Sequence, residues 1–446
     1  MKKLNIFLMS LIMLVSSVAF TGCVVEEPEG ETPTYETAFL MNGFEDFSSQ
    51  IQSIKLFNGF GQVHVNTDLK YVKSGKQSIQ LRPNGRTYYT ARPMLSVPTY
   101  NLTHDYGYAD FTDVKKVLVS AYNAEDHVVK MGVCLGKAGP ACFFDDTQGR
   151  TPCEYFDLQP GWNEIEYSIV PAYMSYGPLE DFSIKSVHSI CFEFEYLGSK
   201  NIEDADTIYL DDIYLIKHAE DATEEEKFGQ ILPLKSDAEK GVWEIADFED
   251  PLQAYFFSFT GGFSIMPTVE VVSSVDCGIV PTSGTNMLQF IQRSGQGEQG
   301  GAAITRICGE AIRMALANIG DDIKQHPENY EFKMDVFNSS NSKASIALFS
   351  FNAYSAEQNK YFGSSKYLPR EYESGVWTTF SVNLGEIEDS MALDGDVKSI
   401  YFGETDKYIP DYIRMYMGGF ASATDISDRV LYFDNIRIEK VATETE

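Results

Sequence analysis

The chain has 446 residues, of which 43% are hydrophobic and 13% aromatic, and it carries a formal net charge of −30. A negative charge of that size repels the phosphate backbone of nucleic acids, and no cluster of lysine and arginine offsets it. The length and the apolar content are sufficient for two sizeable cores. The composition therefore predicts an exposed, soluble protein that does not bind nucleic acid.

The amino terminus predicts an exported lipoprotein. Met1-Lys2-Lys3 is a short basic start, and residues 4–20 form an apolar run that is too short for a comfortable membrane span. The run ends in Phe20-Thr21-Gly22-Cys23, and small residues before a cysteine resemble the lipobox of bacterial lipoproteins. The resemblance implies a signal peptide at 1–22 and a lipid anchor, including palmitate, on Cys23. An ordinary signal peptide with an incidental cysteine is the alternative.

The segment that follows is acidic, contains two prolines and is too polar to build a core, so we predict a flexible tether at 23–39. Acidic residues soon after the lipidated cysteine resemble the surface-export signal of lipoproteins in Bacteroides-like bacteria, although Val24 and Val25 come first. The resemblance implies a protein that is lipid-anchored in the outer membrane and faces the cell exterior.

Ordered features recur in the two halves of the chain, which predicts an internal duplication. The recurring pairs are Phe44-Glu45-Asp46 with Phe248-Glu249-Asp250, Ser74-Gly75 with Ser283-Gly284, Asn123 with Asn338, Trp162 with Trp377, and the closing Asp211-Asp212 with Asp434-Asn435. The same number of residues separates Asn from Trp in both halves. Identity between the halves is low, so the shared order carries the inference.

Short runs of alternating polar and apolar residues, bounded by Gly, Asn and Pro, predict strands. In the first half they cover 51–56, 61–66, 77–81, 115–122, 128–135, 163–169, 189–196 and 207–216. In the second half they cover 269–275, 287–291, 332–338, 345–351, 377–382, 399–402 and 430–439. The alanines and leucine within 304–323 predict a short helix.

Many strands at short spacing with Gly-rich turns predict antiparallel two-sheet sandwiches, and units of nearly 200 residues suit a jelly roll. We therefore predict an all-β fold with two tandem jelly-roll β-sandwich domains, 40–217 and 243–440. An acidic linker at 218–242 joins them, and a tail follows at 441–446.

The repeated set of an opening Phe-Glu-Asp, a Ser-Gly strand, a Trp strand and a closing Asp-Asp or Asp-Asn strand resembles the galactose-binding-like jelly rolls. Many carbohydrate-binding modules belong to that group. In such modules a structural calcium ion often lies where the first and last strands meet. The resemblance implies a calcium cofactor held by Glu45 and Asp211 in the first domain and by Glu249 and Asp434 in the second, since calcium prefers oxygen ligands. The alternative is that these carboxylates cap backbone amides.

Sugar binding requires flat apolar rings beside hydrogen-bonding groups. Tyrosines gather in segments of the sequence that look like loops, next to amides and charged residues. The candidate ligand-binding residues are Tyr88, Tyr89, Tyr106 and Tyr108 in the first domain, and Tyr354, Tyr361, Tyr367, Arg370 and Tyr372 in the second. The alternative is a core or strand position, since aromatic residues favour sheets. We expect Trp162 and Trp377 in the cores.

No catalytic motif stands out, and we predict no catalytic residue. The single G-x-G-x-x-G, at Gly295, Gly297 and Gly300, is interpreted as a flexible loop, because no run of alternating strands and helices surrounds it. The six cysteines after Cys23 lack C-x-x-C spacing, which disfavours zinc and redox motifs. We expect thiols for most of them, with Cys142 and Cys153 as the alternative disulfide pair.

The favoured interpretation is a non-catalytic cell-surface lipoprotein that binds polysaccharide or oligosaccharide, with the second domain as the binding unit. It resembles the accessory glycan-binding lipoproteins of Bacteroides-type starch-utilisation-like systems. The resemblance implies as partners an outer-membrane transporter, other lipoproteins of the same uptake system, and the membrane through the lipid anchor. A surface glycoside hydrolase on a jelly-roll scaffold and a structural or adhesive, protein-binding lipoprotein are the alternatives.

Overall fold

The structure is a computed structural model of the chain. It describes residues 38–45, 54–57, 61–83, 94–99, 109–136, 151, 153–174, 184–194, 205–229, 236–260, 268–292, 303–308, 315, 319–340, 344–355, 360–366, 370–386, 408–418 and 429–441. At 55–57, 256–260, 303–308, 344–355, 360–366 and 408–418 the description covers the backbone and not the side chains. Antiparallel strands dominate these residues, so the predicted all-β fold is confirmed.

The first sandwich, called sandwich one, consists of eleven strands in two sheets. They are β1 (Ala38–Asn42), β2 (Lys55–Phe57), β3 (Gln62–Asn66), β4 (Ser78–Arg82), β5 (Met94–Pro98), β6 (Val114–Asn123), β7 (Val129–Gly136), β8 (Glu154–Leu158), β9 (Gly161–Ser168), β10 (Ser189–Phe194) and β11 (Ile208–Lys217). One sheet has the order β3-β4-β11-β6-β9, with β1 also paired to β11. The other has the order β2-β5-β10-β7-β8.

The second sandwich, called sandwich two, consists of thirteen strands in two sheets. They are β12 (Ser236–Asp237), β13 (Val242–Ala246), β14 (Phe257–Thr260), β15 (Thr268–Ser273), β16 (Asn286–Gln292), β17 (Ala303–Cys308), β18 (Tyr330–Asn338), β19 (Ala344–Ser355), β20 (Lys360–Lys366), β21 (Arg370–Tyr372), β22 (Trp377–Asn383), β23 (Tyr408–Gly418) and β24 (Arg429–Lys440). In one sheet β15, β16, β24, β18 and β22 are successive neighbours, and β13 pairs with β24. The other has the order β14-β17-β23-β19-β20, with β21 also on β19.

The two sandwiches share one strand order, which supports the duplication that the sequence predicts. The central closing strand, β11 or β24, pairs with the opening strand, with the Ser-Gly strand and with the Asn strand in both cases. Alternate apolar residues fill the cores, as in β6, where Val117, Val119 and Ala121 are buried, and in β18, where Phe332 and Met334 are buried.

The repeated motif also repeats its backbone conformation. Phe44 and Phe248 have φ values of 55° and 58°, and the matched residues Asp212 and Asn435 have φ values of 45° and 50°. A non-glycine residue in this left-handed region costs about 1 kcal/mol, and Asp and Asn tolerate it best. Both phenylalanine side chains are fully buried, which contributes about 2 kcal/mol each and offsets the cost. In each sandwich the repeated motif therefore coincides with a register shift between the closing strand and its neighbours.

The helices are short. They lie at Pro171–Met174, Glu224–Phe228, Ser274–Cys277 and Asp321–Gln325, with 3-10 turns at Leu69–Tyr71, Ile184–Ser186, Pro251–Phe256, Pro327–Asn329 and Leu384–Glu386. In the part of the chain that the structure describes, no helix combines the length and the apolar character that crossing a membrane requires.

Several boundaries differ from the sequence expectations. Strand β1 begins at Ala38, inside the predicted tether. The predicted linker contains the helix Glu224–Phe228, which has a capping box formed by Thr223 and Glu226, and it also contains β12. Within the segment 304–323, where we expected a short helix, residues 303–308 form a strand, whereas Ala315, Ile319 and the start of the helix Asp321–Gln325 are helical. The predicted strand at 399–402 and most of the predicted tail lie outside the described residues.

The two sandwiches belong to one compact unit that comprises residues 37–218 and 222–446. Polar contacts join them. Lys130 Nζ lies 2.7 Å from Glu270 Oε2 and 3.1 Å from Asp157 Oδ1. The hydroxyl of Tyr173 donates to Asp250 Oδ2 at 2.7 Å. Residues 219–221 fall outside this unit.

Candidate functional site

One face of the sheet β14-β17-β23-β19-β20 combines tyrosine, arginine and amide positions, and we call it the polar face. Along β19, the alternate residues Ser350, Asn352 and Tyr354 share this face. Three sets of Cα partners continue it across the sheet: Tyr354 with Tyr361 on β20, Asn352 with Tyr412 on β23, and Ser350 with Arg414 on β23 and, one strand further, Arg306 on β17. Cross-strand partners lie side by side on one face.

The opposite face of the same sheet is apolar. Phe349 pairs with Met415, and Phe351 pairs with Ile413, so the intervening residues of β19 and β23 supply the core side. A sheet of a sandwich buries one face and leaves the other toward solvent. The alternation therefore assigns the polar face to the outer surface of sandwich two.

The candidate ligand-binding tyrosines from the sequence lie in different environments in the structure. Tyr354 and Tyr361 are direct Cα partners on the polar face, in strands rather than in the loops that we expected. The prediction for Tyr372 needs correction, because its side chain is only 1% exposed and its carbonyl accepts a hydrogen bond from Asn338 Nδ2 at 3.0 Å. Arg370 is two residues away and shares that face of β21. Tyr88, Tyr89, Tyr106, Tyr108 and Tyr367 lie outside the described residues.

In sandwich one, the counterpart of the polar face is the outer face of the sheet β2-β5-β10-β7-β8, and its residues are of different types. Glu193 on β10 is the Cα partner of Gly132 on β7, which is the partner of Tyr155 on β8. The Tyr155 hydroxyl donates to Glu193 Oε1 at 2.7 Å. Glu193 is 1% exposed and Cys134 is fully buried, so these two positions are closed to solvent. Small residues, thiols and the Tyr155–Glu193 hydrogen bond thus occupy the face on which sandwich two has paired tyrosines and arginines.

The described cysteines of this face are thiols. Cys134 and Cys191 are Cα partners on β7 and β10, and Cys153 packs against them. These three and Cys277 are thiols rather than disulfide partners, which confirms the expectation for them and leaves Cys153 outside the alternative disulfide. Hydrogen bonds with Cys153 and Cys191, together with burial, raise the pKa of the Cys134 thiol well above its ordinary value, so Cys134 is not a ready nucleophile.

Both predicted core tryptophans lie instead on the outer face of the other sheet. In sandwich one a row of Cα partners runs Trp162, Tyr122, Tyr209 and Gln80, and in sandwich two it runs Trp377, Phe337, Tyr432 and Gln289. In each row the glutamine amide donates to the tyrosine hydroxyl at 2.9 Å. The rings are half-buried or buried by their neighbours. Because the row is common to both sandwiches, we assign it to the scaffold.

The four predicted calcium ligands hold the Ser-Gly loops in place. Glu45 Oε1 accepts hydrogen bonds from the backbone amides of Lys76 and Gln77, and Glu249 Oε1 accepts those of Thr285 and Asn286. Asp211 Oδ2 accepts from the Lys73 amide at 2.8 Å, and Asp434 Oδ2 from the Ser283 amide at 2.8 Å. Calcium requires six to eight oxygen ligands, whereas these oxygens face N–H donors. On these contacts the carboxylates fit amide capping and do not fit a calcium site.

Burial sets the electrostatics of these carboxylates. It raises the pKa of Asp211 to about 6 despite the amide donors, with the charge of Asp212 acting in the same direction. It also raises the pKa of Asp434. Burial also acts to raise the pKa of Glu249, but the hydrogen bonds from Thr285 and Asn286 outweigh burial. The pKa of Glu249 is therefore lowered.

No family model and no curated protein matches the chain. Solved structures do. The N-terminal tandem pair of family 22 carbohydrate-binding modules from a Paenibacillus barcinonensis protein is similar over 93% of this chain and 100% of its own, at 14% identity and a TM-score of 0.26.

Two single modules extend the comparison. A family 11 carbohydrate-binding module from Clostridium thermocellum, in complex with a β-1,3-1,4-mixed-linked tetrasaccharide, is similar over 44% of this chain and 95% of its own, at 10% identity and a TM-score of 0.23. The K2 cleaved adhesin domain of Lys-gingipain is similar over 40% and 99%, at 15% identity and a TM-score of 0.26. With TM-scores this low, the fold assignment rests on the sheets of the chain itself.

Proposed function

We propose that the chain is a non-catalytic carbohydrate-binding protein whose polar face in sandwich two binds a polysaccharide or an oligosaccharide. The observation that carries the proposal is the pairing of Tyr354 with Tyr361, continued by Tyr412 and by the Arg414–Arg306 pair on the same face. Tyrosine rings stack on the C–H faces of sugar rings, while amide and guanidinium groups donate hydrogen bonds to hydroxyls and ring oxygens.

The cellular setting is part of the same proposal. The lipobox-like sequence that ends at Cys23 supports export and lipid anchoring, and the acidic segment after it supports display at the outer surface. A surface glycan-binding protein of this kind would deliver its ligand to an outer-membrane transporter of a starch-utilisation-like uptake system. Sandwich two, farther from the anchor along the chain, would meet the glycan, and sandwich one would act as a spacer.

The polar face carries an acidic residue on β21, because Glu371 is the Cα partner of Ser345, which lies on the same face as Gly418 and Tyr416. Its residues on β19, β20, β23 and β17 are Ser350, Asn352, Tyr354, Tyr361, Gly363, Ser365, Tyr412, Arg414, Tyr416 and Arg306, with the apolar Leu348 and Ile304 and with Cys308. Glycoside hydrolysis by the usual mechanism needs two carboxyl groups across the scissile bond. Glu371 alone does not supply that pair, so the composition of the described part of this face favours binding over hydrolysis.

Isothermal titration of the purified full-length chain with soluble starch, xylan, mixed-linkage β-glucan and β-1,4-galactan tests the proposal. Each mixture is then incubated and assayed for new reducing ends. Saturable binding without new reducing ends is expected. Release of oligosaccharides would favour a hydrolase, and no binding to any of the four would favour a structural or adhesive protein.

A further inference from the structure

A second group of polar side chains lies in connecting segments at one end of sandwich one, apart from the polar face of sandwich two. Glu125 and His127 belong to the turn between β6 and β7, and Asp206 lies just before β11. A carboxylate oxygen from each acid and a ring nitrogen of His127 all lie within 4.8 Å of one another. The sequence does not reveal this group, because Asp206 is distant from the other two residues along the chain.

The turn is held in place by the scaffold itself. The buried side chain of Asn123 donates from Nδ2 to the carbonyl oxygens of His127 at 2.7 Å and Leu158 at 2.9 Å. Its Oδ1 accepts a hydrogen bond from the Glu125 amide at 3.0 Å. The three side chains are therefore brought together without help from a ligand, which reduces the entropy that binding would cost.

The buried member of the group points into it. Asp206 is 9% exposed, and in the described part of the chain its carboxylate meets a single donor, His127 Nε2, at 3.3 Å from Oδ1. Two carboxylates in a partly buried position repel each other, and a cation between them offsets that repulsion.

Sandwich two supplies an internal comparison. In sandwich one, the Thr207 amide donates to Glu125 Oε1 at 2.7 Å. At the matched place in sandwich two, the Val430 amide donates to Ser340 Oγ at 2.9 Å. The residue before Val430 is Arg429, where sandwich one has Asp206. A serine side chain is therefore sufficient to accept the amide hydrogen bond at this turn, and the fold does not need the carboxylates of Glu125 and Asp206.

We propose that Glu125, His127 and Asp206 form a binding site for one divalent transition-metal ion of the zinc class. A set of one imidazole nitrogen and two carboxylate oxygens suits zinc, cobalt or manganese, whereas calcium and magnesium favour oxygen ligands alone. Three protein ligands leave a coordination position for water or for a ligand group.

The competing explanation is an ion pair in which protonated His127 neutralises Asp206 without any metal. The two differ in what His127 does when zinc is added. A metal ion replaces the ring proton and joins the carboxylates to the imidazole, whereas an ion pair is indifferent to zinc.

The test is a titration of the metal-stripped full-length chain with zinc chloride by calorimetry, followed by cobalt(II) substitution monitored by d–d absorption. The variants are His127→Ala, at an exposed position, and Asp206→Asn. The matched control is His326→Ala, because His326 Nδ1 lies 3.2 Å from Glu328 Oε1 in an exposed pair that has no third ligand. Circular dichroism without metal establishes that each variant is folded.

We expect one zinc equivalent in the wild-type chain, a loss of affinity of more than about tenfold in His127→Ala and Asp206→Asn, and no change in His326→Ala. The cobalt spectrum should be lost in the same two variants. Absence of zinc binding by the wild-type chain would overturn the proposal and leave the ion pair. Zinc binding that persists unchanged in His127→Ala would show that the ion binds elsewhere in the chain and would also overturn the proposal.

Discussion

Replacing Glu154 with glutamine should stabilise the protein at neutral and alkaline pH and leave it unchanged at acidic pH. Glu154 lies on β8 of sandwich one, and the Tyr255 hydroxyl of sandwich two is 3.5 Å from its Oε2. Burial raises the pKa of this carboxyl from 4.5 to about 7, although the Tyr255 hydroxyl acts in the opposite direction. The folded protein therefore favours the neutral acid, and glutamine is a neutral residue of the same shape.

The magnitude follows from proton linkage. Between pH 4.5 and 7 the unfolded chain releases the proton of Glu154 while the folded protein retains it, so folding weakens as the pH rises. Each pH unit costs about 1.4 kcal/mol, which sums to about 3 kcal/mol at pH 8. Below pH 4.5 both states are protonated and the penalty vanishes. The Glu154→Gln variant lacks a charge at this position and avoids the penalty at every pH.

Urea unfolding of the wild type and Glu154→Gln at pH 4.5, 6 and 8 measures the effect. Glu166→Gln controls for the loss of one charge, because the Glu166 side chain is 61% exposed. We expect the stability difference between Glu154→Gln and the wild type to be near zero at pH 4.5 and about 2 to 3 kcal/mol at pH 8. A difference that does not vary with pH would refute the electrostatic reasoning.

Three further outcomes follow from the scaffold. Gly284→Ala should lower the free energy of unfolding in urea by about 1–3 kcal/mol, because a Cβ at φ 59° would lie 2.2 Å from Glu249 Oε1. The control is Gly278→Ala, where φ is 73° and the space around the Cβ is open, and it should lose less stability. Tyr372→Ala should cost about 3–5 kcal/mol of unfolding free energy as a core truncation, and a stable variant would contradict its burial. Addition of calcium chloride to the metal-stripped chain should leave Tm unchanged, since backbone amides satisfy Glu45 and Asp211, and a clear rise in Tm would support the calcium assignment.

The duplication was predictable because the repeated residues are tied to unusual backbone positions. Asp211-Asp212 and Asp434-Asn435 recur since the closing strand turns through a left-handed residue and accepts the amides of the Ser-Gly loop. Such requirements restrict residue identity, so they survive when the rest of the sequence diverges. The same reason explains why the motif indicates the scaffold and gives no information about a ligand.

Other features depend on contacts that a single sequence does not show. Trp162 and Trp377 sit on outer faces because strand register, rather than size, decides the side on which a residue lies. The first part of the segment expected to hold a helix, 304–308, is a strand, because pairing with β23 overrides a weak helical preference. The polar face joins Tyr354 to Arg306 through three strands that are distant in sequence.

The most direct test of the central claim is glycan binding by a Tyr354→Ala variant of the full-length chain, measured by calorimetry with whichever polysaccharide binds the wild type. Tyr71→Ala is the matched control, because Tyr71 stacks on Tyr209 at 4.2 Å in sandwich one, on the sheet that does not correspond to the polar face. Circular dichroism and Tm establish that both variants fold. We predict a loss of about tenfold or more in affinity for Tyr354→Ala, equivalent to about 1.4 kcal/mol, and none for Tyr71→Ala. Unchanged binding by Tyr354→Ala, or an equal loss in Tyr71→Ala, would contradict the assignment of the glycan site to sandwich two.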